Sequence, residues 1–130
     1  MLAIVSFQEA PAAKKTGDAI VETSIVRLIA HPEKFQGKRV LIKGYCRIEF
    51  EHSAIYLSEG DAKISNRAQG IAIGHSLKED STKPYPSKGW VRVLARFHYS
   101  GKGGGHMGLW FAQLYNVEVI ALEEEEKPNK

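Results

Sequence analysis

The sequence contains one cysteine, Cys46, among 130 residues, so no disulfide can form within the chain. A chain of this length can bury a core without disulfides or metals, and a single cysteine is common in, though not restricted to, reducing compartments. No apolar run approaches the roughly 18 residues that a membrane-spanning helix needs. These absences, with 43% hydrophobic and 25% charged residues, predict one soluble folded domain.

Signatures of catalysis and of metal binding are also missing. Five histidines occur, but none has the H-x-x-x-H or H-E-x-x-H spacing of a zinc site. The glycine-rich run at 100–108 lacks the G-x-x-x-x-G-K-(S/T) spacing of a phosphate-binding P-loop. No catalytic residue, metal ligand or cofactor is therefore predicted, and a binding role is the default.

Positive charge exceeds negative charge only slightly. The formal net charge is +3, and the four Glu and two Lys of residues 123–130 leave +5 on the rest of the chain. That excess permits attraction to phosphate or to acidic partners, but many nucleic-acid-binding domains are more basic and more clustered in charge. Residues 123–130 are predicted to form an acidic disordered tail.

The N-terminal residues 1–22 are predicted to form a flexible leader. They start with an apolar run at 1–7 and continue with small and polar residues that show no periodicity. Alanines at 10, 12 and 13 are typical of a signal cleavage site, but no Lys or Arg precedes the apolar run. The default localisation is therefore cytoplasmic, and an exported or periplasmic protein is the alternative if the N-terminus is a truncated signal peptide.

A short helix is predicted over residues 24–30, capped by Thr23 or Ser24. The pair His31–Pro32 ends it, because the residue before a proline is pushed out of the helical region. Beyond a turn at 32–37 the hydrophobic period changes to two, which is typical of strands. Five strands are predicted, at 38–51, 54–57, 70–73, 90–99 and 109–122, with polar or glycine-rich loops at 74–89 and 100–108.

The predicted strands favour a mainly β domain over 23–122: a five-stranded OB-like barrel preceded by a short N-terminal helix. The first strand is long and holds Gly44 in its middle, as a strand that curls around a small barrel requires. The last strand changes its inward phase near Asn116, as a bulge would cause. Because the gap at 74–89 is a poor helix former, the helix at 24–30 is the candidate to plug the barrel. Another small β-barrel or a half-open sandwich is the structural alternative.

Three segments carry a resemblance to a family: L-I-A-H-P-E-K-F-Q-G-K at 28–38, A-I-Y-L at 54–57 and G-H-M-G-L-W at 105–110. Over residues 24–120 the chain resembles a group of small bacterial proteins of unassigned function. More distantly, the layout is similar to OB folds related to tRNA-anticodon-binding and periplasmic stress-protein domains. The resemblance implies an OB-like fold but transfers no activity and no site, since fold does not fix function.

Candidate binding residues fall on the outward face of two strands and in one loop. OB folds bind single strands with cations that follow the phosphates and aromatics that stack on bases. The glycine-rich loop could present backbone N–H groups to an anion. The candidates are Lys43, Tyr45, Arg47, Arg92, Arg96, His98, Lys102, His106 and Trp110. Against a polyanion ligand, Glu49 and Glu51 continue the same outward face.

Three functions remain open from the sequence. The first is a non-enzymatic binding module for a protein or peptide, because the exposed loop aromatics Tyr85, Trp90 and Trp110 suit protein contacts. The second is a single-stranded nucleic-acid binder that uses the cationic face. The third is a small hydrolase-like enzyme with His75 and His106 as acid and base. Cys46 lies on the inward phase, where a buried inert thiol is expected.

Overall fold

The computed structural model describes residues 19–49, 52–74, 87–105 and 108–122. The strands are β1 Ile20–Glu22, β2 Arg39–Glu49, β3 His52–Tyr56, β4 Gly70–Ile73, β5 Lys88–Gly104 and β6 Trp110–Ala121. The helices are α1 Ile25–Ala30, α2 Pro32–Phe35 and α3 Glu59–Lys63, and a 3₁₀ turn follows at Arg67–Gln69. In the described ranges, no helix has the length and apolar character needed to cross a membrane.

The sheet closes into a barrel in the order β2-β3-β4-β6-β5, with β5 pairing back onto β2. All pairs in the barrel are antiparallel except β4 with β6, which run parallel. The first half of β2 also pairs with β1, and its second half pairs with β3. The predicted fold class, a mainly β five-stranded OB-like barrel preceded by a short helix, is confirmed.

Gly44 lies in the middle of the long strand β2. A Cβ atom at that position would lie 2.7 Å from both Ile55 Cγ1 and the carbonyl oxygen of Tyr56, and 2.8 Å from Ile25 Cδ1. Real Cβ atoms do not approach that closely, so only glycine lets α1 and β3 pack on this part of β2. Inward and outward side chains alternate on either side of Gly44, and the inward residues Val40 and Cys46 are fully buried inside the barrel.

Helix α1 contributes to the same core as the strands. It begins after Ser24, whose Oγ accepts a hydrogen bond from the Arg27 amide at 3.2 Å, and its C-cap is His31. The side chains of Ile25 and Leu28 are 1% and 0% exposed and belong to the barrel's core cluster. The helix predicted as a plug therefore packs into the barrel core.

The predicted phase change near Asn116 is a bulge in β6. Asn116 has a φ of 52°, and the register with β5 shifts between Leu94 and Arg96. As a result, burial in β6 moves from Ala112 and Leu114 to Val117. An asparagine tolerates this left-handed conformation better than most residues, which explains why the extra residue is accommodated here.

Four elements differ from the sequence-based expectations. Strand β1 lies inside the predicted leader, where three residues pair parallel with the start of β2. Strand β5 runs on to Gly104, so the expectation of a flexible connection over 100–108 is wrong for 100–104, where Gly104 pairs with Trp110. Helix α3 and the 3₁₀ turn, which lie between β3 and β4, were not predicted. The leader before residue 19, most of the predicted loop at 74–89, and the tail at 123–130 lie outside the described residues.

Candidate functional site

Five of the predicted binding residues lie on the outer face of the ladder between β2 and β5. Alternate residues of the two strands face each other there, and we call this surface the cationic stripe. Its five facing pairs are Arg39–Arg96, Leu41–Leu94, Lys43–Arg92, Tyr45–Trp90 and Arg47–Lys88. The structure therefore brings Lys43, Tyr45, Arg47, Arg92 and Arg96 together on one surface, as the sequence predicted.

Three of the five facing pairs in the cationic stripe join like charges. Directly opposed like charges destabilise an antiparallel ladder, and a bound anion would relieve that repulsion. Between two of these pairs, the rings of Tyr45 and Trp90 meet edge to face with centroids 5.7 Å apart. Burial raises the pKa of the Tyr45 hydroxyl, with a smaller contribution from the negative charge of Glu59, so the phenol is neutral at physiological pH.

Arg47 and Arg96 of the cationic stripe form hydrogen bonds within the protein. Arg47 Nη1 donates to the carbonyl oxygen of Ala62 at 2.9 Å and to Ser65 Oγ at 2.8 Å, which ties α3 to β2. Its Nε also lies 3.2 Å from Glu49 Oε2, and this hydrogen bond lowers the pKa of the Glu49 carboxyl. Arg96 Nη1 donates to the carbonyl oxygen of Gly37 at 2.7 Å. Lys43, by contrast, is exposed.

Acidic residues flank the second of the five rows of the cationic stripe. The pair Leu41–Leu94 has Glu22 of β1 beside Leu41 and Glu118 of β6 beside Leu94. Glu118 also lines a recess of about 320 Å³ together with Arg39, Arg96 and Asn116. A continuous polyanion that followed the whole stripe would therefore pass carboxylates at the row formed by Leu41 and Leu94.

His98 lies beyond the end of the cationic stripe and is exposed. Its Nδ1 is 3.3 Å from the side-chain nitrogen of Gln36, and its ring meets Tyr115 edge to face with centroids 5.8 Å apart. Lys102 is a residue of strand β5. His106, like His75, lies outside the described residues.

The prediction that Trp110 is exposed is wrong, because its side chain is only 2% exposed, although it borders a cleft. It forms a second, outer core with Ala54, Tyr56, Ala62 and Ala72 on the outside of β3 and β4, and α3 supplies Ala62. The indole is fixed by an edge contact from His52, with centroids 5.2 Å apart, and by the Arg67 guanidinium, whose Cζ lies 4.9 Å from the ring centroid.

This outer core has a consequence for ligand binding. OB folds bind oligonucleotides and oligosaccharides on the face of their second and third strands, and with the loops beside it. Those strands correspond to β3 and β4, whose outward side chains Ala54, Tyr56 and Ala72 are buried here. The usual OB ligand face is therefore occupied by the protein's own side chains in the part of the chain that the structure describes.

An open cleft of about 850 Å³ lies beside this outer core, and we call it the aromatic cleft. It is bounded by α1 and α2, by the 3₁₀ turn, and by the end of the β5–β6 hairpin. The lining residues are Ile29, Pro32, Arg67, Ala68, Tyr99, Gly101, Gly103, Gly108, Leu109, Trp110 and Phe111. The cleft thus touches the connection between the last two strands, which is one of the loops that flank ligands in OB folds.

The aromatic cleft is mostly apolar. Tyr99 is 38% exposed and Leu109 is 51% exposed, while the half-buried Phe111 ring lies 6.3 Å from the ring centroids of Tyr99 and Phe97. In the described lining, Arg67 is the one charged side chain. Its Nε is buried and has no hydrogen-bond partner. The arrangement can hold an apolar group and offers it one cationic donor.

The residues of the aromatic cleft were largely missed from the sequence. Tyr99 was expected to face inward on its strand, but the register of β5 against β6 breaks between Tyr99 and Gly104. Gly101 and Gly103 adopt positive φ values at this break, and these two glycines were the signal available in the sequence. Nothing in the local sequence around Arg67 distinguishes it from a surface arginine.

Cys46 is fully buried, as expected, and burial raises the pKa of its thiol to about 11. A thiol with that pKa carries little thiolate at neutral pH, so nucleophilic chemistry at Cys46 is disfavoured. No group of three His, Cys, Asp or Glu side chains that could hold a metal ion occurs within 19–49, 52–74, 87–105 and 108–122.

Comparison of the chain with known protein families, with characterised proteins and with solved structures found no match.

Proposed function

We propose that the protein is a non-enzymatic OB-like binding module that engages a protein or peptide partner through the aromatic cleft. The observation that carries the proposal is an open, mostly apolar concavity lined by the exposed side chains of Tyr99 and Leu109. Ligand sites are typically concave and apolar with few polar groups. Aromatic residues and arginine are also the types enriched at the centre of protein interfaces.

The position of the aromatic cleft supports the same proposal. Its walls come from the barrel hairpin on one side and from α2 and the 3₁₀ turn on the other, so it is built on packed elements rather than on one loop. Phe111 packs against Phe97, which is fully buried, and this contact fixes one wall of the cleft to the core. A partner that inserts an apolar side chain here would meet a surface that is already formed, which lowers the cost of binding.

The proposal is tested by selecting peptides from a displayed random library on the immobilised full chain. Affinities of the enriched peptides are then measured for Leu109→Ser and for Ile120→Ser. Both residues are exposed apolar side chains, at 51% and 41%, but Ile120 lies on β6 away from the cleft lining. We expect Leu109→Ser to weaken binding at least about fivefold, as truncating a central contact does, and Ile120→Ser to leave it within about twofold.

Failure to enrich any peptide would contradict the proposal. So would enriched peptides whose affinity falls as much in Ile120→Ser as in Leu109→Ser, because the contact surface would then lie outside the cleft.

Single-stranded nucleic acid on the cationic stripe is a second candidate, favoured by the three like-charge pairs of the β2–β5 ladder. We propose it as the alternative because the acids Glu22 and Glu118 interrupt the stripe and because Arg47 and Arg96 are hydrogen-bonded within the protein. Lys43 is the best position for a test, since it is exposed and its removal leaves the packing unchanged.

Fluorescence anisotropy with labelled single-stranded DNA and RNA at several salt concentrations separates the two candidates. If the stripe binds the strand, affinity falls steeply with salt, and Lys43→Gln lowers the slope of log K against log salt by about 0.7. Leu109→Ser would leave the affinity unchanged. Absence of binding at low salt would eliminate this candidate.

A further inference from the structure

We infer that the aromatic cleft selects ligands that carry a carboxylate next to an apolar group, and that Arg67 is the residue that binds the carboxylate. This inference rests on the proposed function, because it names the chemistry of the ligand that the cleft would take. It makes Arg67 a specificity-determining residue, which neither the fold nor the sequence pattern assigns.

Arg67 has no anionic partner among the described residues. Its Nε is buried and makes no hydrogen bond, and none of the described residues forms an ion pair with it. A buried donor without a partner is costly, and the cost is greater for a charged group than for a neutral one. A carboxylate beside the part of Arg67 that lines the cleft would offset this cost through its charge, whereas water-exposed arginines gain little from a new partner.

The Arg67 guanidinium is held in place before any ligand arrives. It lies over the indole of Trp110 at 4.9 Å, and Trp110 is itself buried in the outer core. A cation stacked on an aromatic face keeps its in-plane N–H donors available at its edge. Little side-chain entropy is therefore left to lose when a carboxylate binds.

The neighbours of Arg67 on the outer core do not compensate its charge. His52 and Tyr56 lie near it, with His52 Nε2 and the Tyr56 hydroxyl oxygen 2.8 Å apart. Burial lowers the pKa of His52, and the positive charges of Arg47 and Arg67 lower it further; burial also raises the pKa of Tyr56. Both neighbours are thus neutral at pH 7, so neither compensates the charge of Arg67.

The charge count of the cleft favours a carboxylate over a phosphate. One arginine, the one charged side chain in the described lining, can neutralise one negative charge, and its planar donors match the geometry of a carboxylate. A phosphate near pH 7 carries between one and two negative charges and would leave part of its charge unpaired in an apolar setting. The apolar walls formed by Leu109 and Phe111 require that the carboxylate be attached to an apolar group.

A matched pair of small probes tests the inference. N-acetyl-phenylalanine carries a carboxylate, and N-acetyl-phenylalanine amide has nearly the same shape but is neutral. Each is titrated into the ¹⁵N-labelled full chain, and chemical shifts are followed at the amides of Leu109 and Phe111 and at the Arg67 Nε–H. We expect the carboxylate probe to bind about tenfold more tightly than the amide and to shift the Arg67 Nε–H signal.

Variants of the same charge change separate Arg67 from a general electrostatic effect. In Arg67→Gln the preference for the carboxylate probe is expected to disappear, while Lys43→Gln, which removes a positive charge from the distant cationic stripe, is expected to retain it. Arg67→Lys keeps the charge but loses the planar donors, so part of the preference should remain. This last variant also guards against a loss of folding in Arg67→Gln.

The possible failures are distinguishable. If both probes shift Leu109 and Phe111 with equal affinity, the carboxylate inference is overturned and the cleft remains a binding site. If the preference is the same in Arg67→Gln as in the unmodified chain, Arg67 is not the selecting residue. If neither probe shifts the cleft signals, the inference and the proposed function are both contradicted.

Discussion

Replacing Leu28 by alanine measures how far α1 belongs to the barrel. Leu28 is 0% exposed and lies in one core cluster with the inward side chains of the strands. Removal of a fully buried leucine side chain costs about 2–5 kcal/mol, since it loses both the transfer free energy and the packing around the cavity left behind. We expect the free energy of unfolding to fall by about 3 kcal/mol, a large part of the total stability of a small domain.

The assay is urea unfolding at 25 °C, followed by circular dichroism and by tryptophan fluorescence. Val26→Ala is the matched control, because Val26 lies on the same helix but is 55% exposed. We expect this control to change stability by less than about 0.5 kcal/mol, as most surface substitutions do. Alanine is a better helix former than both leucine and valine, so helix propensity cannot account for a loss of stability in Leu28→Ala.

Two results would refute the reasoning about α1. A loss below about 1 kcal/mol in Leu28→Ala would mean that the helix adds little to the core. Separate transitions in the two signals, with the helical signal lost first, would mean that α1 unfolds independently and only docks on the barrel.

Three further outcomes follow from the described contacts. Arg47→Gln should lower the free energy of unfolding by about 1–2 kcal/mol, because the hydrogen bonds to Ala62 and Ser65 that hold α3 are lost; unchanged stability in urea would contradict this. Cys46, with a pKa of about 11, should react with a thiol reagent at pH 8 only after unfolding, and rapid labelling of the folded chain would contradict this. Its contribution to stability should be full below pH 9 and be lost as the pH rises through 11. His52 should titrate in NMR below its ordinary pKa of 6.5, so its neutral form favours the fold and stability decreases as the pH falls through its folded pKa; a midpoint above 6.5 would show that its burial is misread.

The barrel was predictable because its strands carry strong local signals. In β2 the alternation runs over eleven residues, and the one exception, Gly44, is explained by the close approach of Ile55 and Ile25. In β6 the change of phase at Asn116 is visible in the order of apolar residues, and a bulge is the one strand feature that produces it. The hydrophobic periodicity and the positions of Gly44 and Asn116 were sufficient for the prediction, because each of these signals lies within one strand.

The insertion between β3 and β4 was not predictable in the same way. Helix α3 has five residues, and its one local signal is the cap in which Ser58 Oγ accepts from the Asp61 amide at 3.1 Å. It is held in place by Arg47, which lies on a strand 15 residues away from Ala62. Trp110 was misplaced for the same reason, since its burial depends on Arg67 and on residues of three other elements. Contacts of this kind are tertiary and leave no periodic trace in the sequence.

The covered outer face of β3 and β4 decides where a ligand can bind. In an OB-like barrel with that face open, exposed aromatics on the second and third strands would favour nucleic acid. Here Tyr56 is buried beneath α3 and Trp110, so a strand-stacking ligand has no aromatic platform at that place. Among the described residues, the half-buried Tyr45 and Trp90 lie on the cationic stripe, Tyr99 is exposed in the aromatic cleft, and Tyr115 is exposed beside His98. Because the stripe and the cleft lie on different parts of the barrel, Lys43→Gln and Leu109→Ser report on them independently, and loss of binding in one variant alone identifies the surface that the partner uses.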